Sequence, residues 1–131
     1  MTVLALPAGG LAKFILLSAA LSVFNTLQCY LAPLGLTRRV YNQQPNQVSS
    51  LSSRIFGTWT LLSAVLRYQC AYNMDNVVVY NVTWASYGIA LTHFLAEILA
   101  FRTCRVPGPV LSTFIVAIIS LVWMWVEHPA H

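Results

Sequence analysis

Apolar side chains fill four long stretches of this chain, and the polar residues that interrupt them recur at helical spacing. The stretches run roughly 11–31, 55–72, 77–101 and 110–126. About 20 apolar residues cross a bilayer, so the pattern predicts an all-α, integral membrane bundle of four transmembrane helices, folded as one domain over 1–131. Pro7, Pro33, Pro45, Pro107, Pro109 and Pro129 lie outside the stretches or at their edges, as unbroken helices require. The third stretch is longer than a crossing needs, so it tilts or begins outside the hydrocarbon. The fourth is short and ends in Trp123 and Trp125, side chains suited to a membrane interface.

The polar interruptions form stripes. The first stretch carries Ser18, Ser22, Asn25 and Cys29, with Gln28 three residues on from Asn25. The second carries Ser53, Gly57, Thr60 and Ala64, and the third Ser86, Ala90, His93 and Glu97. Steps of four, three and four keep to one helix face. Small residues let membrane helices approach, and polar ones hydrogen-bond across the contact. Packing alone accounts for the small residues. It accounts less well for Asn25, Gln28, His93 and Glu97, because hydrocarbon penalises unpaired amides and penalises ionisable side chains by roughly 2.5 kcal/mol or more.

Depth groups these residues. At ~1.5 Å rise per residue, Gln28 and Glu97 lie ~6 Å in from the 32–54 side, and Asn25 and His93 ~10–12 Å in. Arg54 is at that surface, with Gly57 and Trp59 just below. Arg67 lies ~18 Å in by the same rise and is expected to snorkel to the opposite face. Asn25, Gln28, Arg54, Gly57, Trp59, His93 and Glu97 thus form one expected polar cluster. In it Glu97 pairs with Arg54, and His93 is level with Asn25. Fixing helix register and presenting a platform to partners both remain open as its role.

Composition agrees with the membrane reading. Charged residues are 8% of the 131 and hydrophobic residues 58%, against about 25% charged in a soluble domain. The net charge of +4 comes without a basic run or an aromatic platform, so no nucleic-acid partner is implied. The loops at 32–54 and 102–108 carry Arg38, Arg39, Arg54, Arg102 and Arg105; the other side has Lys13 with Asp75 and Glu127. That asymmetry puts the two arginine-bearing loops in the cytosol. A cleaved signal peptide is the alternative for the first stretch, but the apolar run continues past Ala20 without a break. The sequon at Asn81 and Thr83 is expected to be unused, being too close to the membrane. Cys29, Cys70 and Cys104 sit near different span ends and read as apolar side chains rather than a disulfide framework.

Chemistry is sparse. A metal site needs three or four converging ligands, and only His93, Glu97 and Asn25 could meet, since His128 and His131 are at the other end. A phosphate loop and a dinucleotide fingerprint are both missing. No catalytic residue, metal or cofactor is therefore expected.

"VFNTLQCY" (23–30), "LTRRVYN" (36–42), "RIFGTWTLLSAVLR" (54–67), "HFLAEILAFRTCR" (93–105) and "STFIVAIISLVWM" (112–124) together resemble the ergosterol biosynthetic protein 28 family. The most specific piece is Arg54, Phe56, Gly57 and Trp59, followed by His93, Phe94 and Glu97. The resemblance covers roughly residues 20–125. It implies a multi-pass protein of the endoplasmic-reticulum membrane. It also implies a non-catalytic scaffold that tethers the enzymes of sterol C-4 demethylation: the methyl oxidase, the sterol 4-carboxylate 3-dehydrogenase and the 3-keto sterol reductase. The family lends no catalytic residues. The runner-up is a sterol-binding or sterol-transfer module with a groove lined by Trp59 and Phe94. A small enzyme subunit using His93 and Glu97 comes third. Self-association stays open.

Overall fold

A computed structural model describes residues 6–7, 9–32, 35–104 and 109–129. Arg105, Pro33, Pro107 and His131, each given a place above, lie outside the described residues. The described chain is helical, with no strand. In order the elements are α1 (Gly10–Leu31), α2 (Gly35–Val40), a 3-10 turn (Pro45–Gln47), α3 (Ser50–Ala71), α4 (Val77–Leu99) and α5 (Pro109–Val126).

The helix ends follow from local chemistry. The Ser49 hydroxyl accepts from the Ser52 amide at 3.1 Å, and the Ser49 amide donates to the Ser52 hydroxyl at 2.9 Å. This reciprocal cap satisfies two orphan donors and starts α3 five residues ahead of the apolar stretch at 55. Asn76 caps α4 by accepting from the Val79 amide at 3.2 Å. The six-residue α2 was not expected, because a helix that short leaves no periodic pattern.

Two antiparallel hairpins make the body. α1 lies along α3: Asn25 and Thr26 face Thr60, and Cys29 faces Ser53 and Gly57. α4 lies along α5, where the Tyr80 hydroxyl donates to the Met124 carbonyl at 2.6 Å and the Trp84 indole to that of Leu121 at 3.0 Å. Two apolar clusters join the hairpins. Leu11, Ile15, Cys70, Tyr80, Tyr87 and Met124 pack at the Lys13 end. Cys29, Val40, Phe56, Phe94 and Cys104 pack at the arginine-bearing end.

The outer surface is apolar and much of the interior is polar. Leu17, Leu21, Phe24, Ile89, Ile118 and Val122 are exposed, while Ser18, Ser53, Thr60, Thr83, Ser86 and Ser120 are buried. The 4-3-4 stripes accordingly face inward or toward the half-buried rim. Hydroxyls and Arg67 thus share the interior with the two apolar clusters, while large apolar side chains line the outside.

Among the described residues, Gly10–Leu31 is the one helix both long and apolar enough to cross a membrane by length and composition, and Leu111–Val126 is a shorter apolar segment. Helices α3 and α4 span 22 and 23 residues. They have the length, but polar residues on both their buried and their exposed faces dilute their hydropathy. The four-crossing expectation therefore goes beyond what helix length and composition establish.

Arg67 corrects a second expectation. It does not snorkel outward; it is 7% exposed, donates from Nη1 to the Ser22 hydroxyl at 2.8 Å, and lies 4.1 Å over the Tyr87 ring. The reason is angular. Arg67 follows Ala64 by three residues and so continues the inward stripe Ser53, Gly57, Thr60, Ala64.

Candidate functional site

The residues expected to form one cluster divide between two places. The first is the α1–α3 seam. Gly57 is buried there, and a Cβ added to it would lie 2.8 Å from Cys29 Cβ. The missing side chain lets the backbones close. The Thr26 hydroxyl then lies 3.0 Å from the Gly57 carbonyl and 3.0 Å from the Thr60 hydroxyl. The Asn25 amide donates to Thr60 Oγ1 at 3.2 Å, so Asn25 bonds across to α3 and not to His93. Gln28 lines the adjacent cavity with Asn25.

The second place is the arginine-bearing end, where α4 holds the loops. Tyr41 follows α2, and its ring stacks on Phe94 at 6.2 Å and meets the edges of Phe56 and His93 at 5.7 and 6.0 Å. Trp59 packs on Phe56 at 5.4 Å and on His93 at 5.9 Å. Tilted and edge-on aromatic pairs of this kind contribute about 0.5–1.5 kcal/mol beyond their buried area. The Tyr41 hydroxyl and His93 Nε2 are 2.7 Å apart. Burial, with smaller contributions from Cys104, Glu97 and Cys29, holds the Tyr41 phenol far above its ordinary range. Tyr41 therefore keeps its proton, and phenol and imidazole share one hydrogen bond that ties the turn after α2 to α4.

Glu97 ties down the next loop. Its carboxylate accepts from the Thr103 hydroxyl. Its carbonyl accepts from the Thr103 and Cys104 amides at 2.7 and 3.4 Å. The Thr103 carbonyl then accepts from the Gln43 amide at 3.0 Å, so this loop and the turn after α2 are stitched together. The chain reverses through Arg102, whose φ of 55° is left-handed, a conformation that disfavours side chains with a Cβ. Burial pushes the neighbouring Cys104 thiol up to about 11.

The expected pair of Glu97 with Arg54 does not form. Glu97 takes Thr103 instead, and Arg54 is exposed, one residue and hence ~100° around the helix from the inward Ser53. Depth put the two groups at one level, but direction separates them. Of the expected residues, His93, Glu97 and Trp59 gather at the loop site, and Asn25 and Gly57 at the seam. Tyr41, Thr103 and Thr26 join them without having been singled out. Their partners are 6 to 52 residues away in sequence, and only Thr26 sits within a periodic apolar stretch.

A cavity of about 250 Å³ opens beside this site, lined by Tyr41, Trp59, His93, Glu97 and Thr103 among others. Among the described residues, no group of three or more His, Cys, Asp or Glu side chains could hold a metal ion. Both ionisable groups on the α4 face engage the chain's own loops: His93 holds the 41–44 turn and Glu97 the 100–104 segment.

A sequence profile of the family described as "Erg28 like protein" matches residues 11–122. The chain belongs to the Erg28-like family. Within it, "Ergosterol biosynthetic protein 28" of Saccharomyces cerevisiae is 40% identical over 124 residues, covering 95% of this chain and 84% of that one. The Candida albicans protein of the same name is 42% identical over 119 residues, covering 91% and 86%. The human "Ergosterol biosynthetic protein 28 homolog" is 34% identical over 116 residues, covering 88% and 83%. No solved structure matches. The Erg28-like match takes in α3 and α4 whole and all but the outer ends of α1 and α5, and both the seam and the loop site fall inside it.

Proposed function

We propose that this Erg28-like chain is a four-helix, multi-pass protein of the endoplasmic-reticulum membrane that acts in sterol biosynthesis as a non-catalytic scaffold. Its partners are the methyl oxidase, the sterol 4-carboxylate 3-dehydrogenase and the 3-keto sterol reductase of C-4 demethylation. The observation that carries the membrane part is the outer surface: large apolar side chains face out along the helices, while Arg67 and several hydroxyls are buried. Contiguous apolar surface on this scale calls for lipid or protein cover. Family membership and the relatives' names support the pathway.

The scaffold role follows from how the polar groups are used. His93 and Glu97 hold two loops against α4, and these loops carry Arg38, Arg39 and Arg102 on their exposed faces. Together with exposed Arg54 they make a basic, preorganised end that suits docking to enzyme domains in the cytosol. Holding enzymes that share membrane-dissolved intermediates raises the local concentration of each for the next. Purified through a tag in mild detergent, the chain should bring the three enzymes with it; recovery of none of them contradicts the scaffold.

Topology gives a separate test. Four crossings with the arginine end in the cytosol leave both termini lumenal. A glycosylation acceptor on a C-terminal extension should then be modified, and one inserted in an enlarged 41–48 loop should not. The reverse pattern inverts the orientation, and modification at both sites removes a crossing.

The second reading, a sterol-binding module, is favoured by a cavity of about 250 Å³ between the hairpins, lined by Trp59, Phe94 and Asn25 among others. Ligand pockets usually run from ~300 Å³ upward, so a whole sterol would sit only partly inside it.

A further inference from the structure

The hairpins meet at their two ends and part in between. The gap is the cavity that Trp59 and Phe94 line, and it runs from Ser18 to Gln28 on α1, ~15 Å of helix. One wall is polar, with Ser18, Ser22 and Asn25; the other is aromatic, with Phe56, Trp59 and Phe94. Leu21 and Phe24 on its rim are 52% and 59% exposed, so the gap opens sideways.

Arg67 lies at the end of the slot near Ser18. It is 7% exposed, and nothing described balances its charge. Asp75 and Glu127 are exposed, and Glu97 is engaged with Thr103 at the other end of the bundle. The guanidinium has one hydrogen bond, from Nη1 to Ser22, and the face of Tyr87 beneath it. Nε is buried without a partner. A buried cation is normally paired, and a ring face does not replace an anion. Nη1 is the nitrogen with a bonded partner and Nε has none, and a guanidinium short of partners is the group that binds a carboxylate through parallel N–H bonds.

We infer that this slot binds the carboxylate of a lipid-soluble carboxylic acid, with the acid group at Arg67 and the apolar body against Phe56, Trp59 and Phe94. A carboxylate brings the single negative charge that neutralises one guanidinium. A phosphate monoester carries about −1.5 to −2 at neutral pH and would leave a buried excess. A two-chain phospholipid is too bulky for a slot of about 250 Å³. The site rests on the membrane-embedded reading, because only then does the rim face lipid. It goes beyond the scaffold role, which needs no ligand.

The test uses the full chain in phosphatidylcholine nanodiscs with two photoreactive probes of one length, a diazirine-bearing palmitic acid and the matching alcohol. The acid should label the α1 and α3 walls about tenfold more strongly than the alcohol, a factor typical of one well-made charged contact. Arg67→Met should abolish that preference and keep alcohol labelling, and Thr113→Phe, which narrows the slot from α5, should reduce both. Equal labelling by acid and alcohol in the unaltered chain overturns the site without recourse to any variant. Acid preference that survives Arg67→Met also overturns it, as does displacement by lysophosphatidic acid at concentrations where palmitic acid fails. Extraction of the chain from microsomes by alkaline carbonate would remove the membrane reading itself. Retention there with no acid preference removes the site alone.

Discussion

Gly57→Leu is expected to prevent the α1–α3 hairpin from forming, and Gly57→Ala to leave it folded but measurably weaker. A Cβ at position 57 would lie 2.8 Å from Cys29 Cβ, whereas carbon atoms rest about 3.5–4.0 Å apart. Cys29 Cβ is anchored to its backbone and cannot swing away, so the helices themselves must separate by close to an ångström. Three contacts depend on that closeness: Thr26 to the Gly57 carbonyl, Asn25 to Thr60, and the Ser53 hydroxyl to the Cys29 carbonyl. Overpacking by one methyl costs about 1–3 kcal/mol, and the lost seam contacts add to it. Thermal unfolding in detergent should show Gly57→Ala melting below the unaltered chain and Gly57→Leu eluting as aggregate. Cys29→Gly should recover part of the Gly57→Ala loss, because it removes the atom that collides. An unchanged midpoint for Gly57→Ala would show that the helices do not approach this closely.

Glu97→Ala should release the loop at 100–104, and its cost should be shared with Thr103, not Arg54. Thr103 is 7% exposed, and its hydroxyl donates to the Glu97 carboxylate. Removing the acceptor strands a buried donor, which costs about 1–3 kcal/mol. Thr103→Val removes the donor, so the double change should cost less than the sum by about 0.5–3 kcal/mol, the usual coupling of contacting groups. Glu97→Ala combined with Arg54→Gln should be additive within about 0.5 kcal/mol. Without the Glu97 carboxylate, the left-handed turn at Arg102 keeps its backbone bonds but loses its side-chain tether, and limited proteolysis should cut there first. Strong coupling of Glu97 to Arg54 with none to Thr103 would restore the ion pair and refute the loop-tether account.

The sequence carried the inward faces well, because Ser53, Gly57, Thr60 and Ala64 repeat a helical period that any packed seam must obey. Continued by three residues the same period reaches Arg67, so its burial was legible too. Depth along a helix carries no direction around its axis, and direction is what buries Arg67. Arg54 and Glu97 share a level, but Arg54 lies one position off the stripe and so faces away. Tyr41 and Thr103 could not be found this way. Both belong to loops, their partners are set by how α2 and the 100–104 segment fold back onto α4, and no periodicity marks either. His93 and Glu97 fasten the arginine-bearing loops to α4, a role distinct from fixing helix register.

The most direct measurement of the scaffold is whether its partners need it to find one another. The tagged methyl oxidase would be purified in mild detergent from cells that contain this chain and from cells that lack it, with the 3-dehydrogenase and the 3-keto reductase quantified in each. The scaffold account predicts that both are recovered when the chain is present and fall to background when it is absent, with total enzyme levels unchanged. Equal recovery in the two cell types would contradict it.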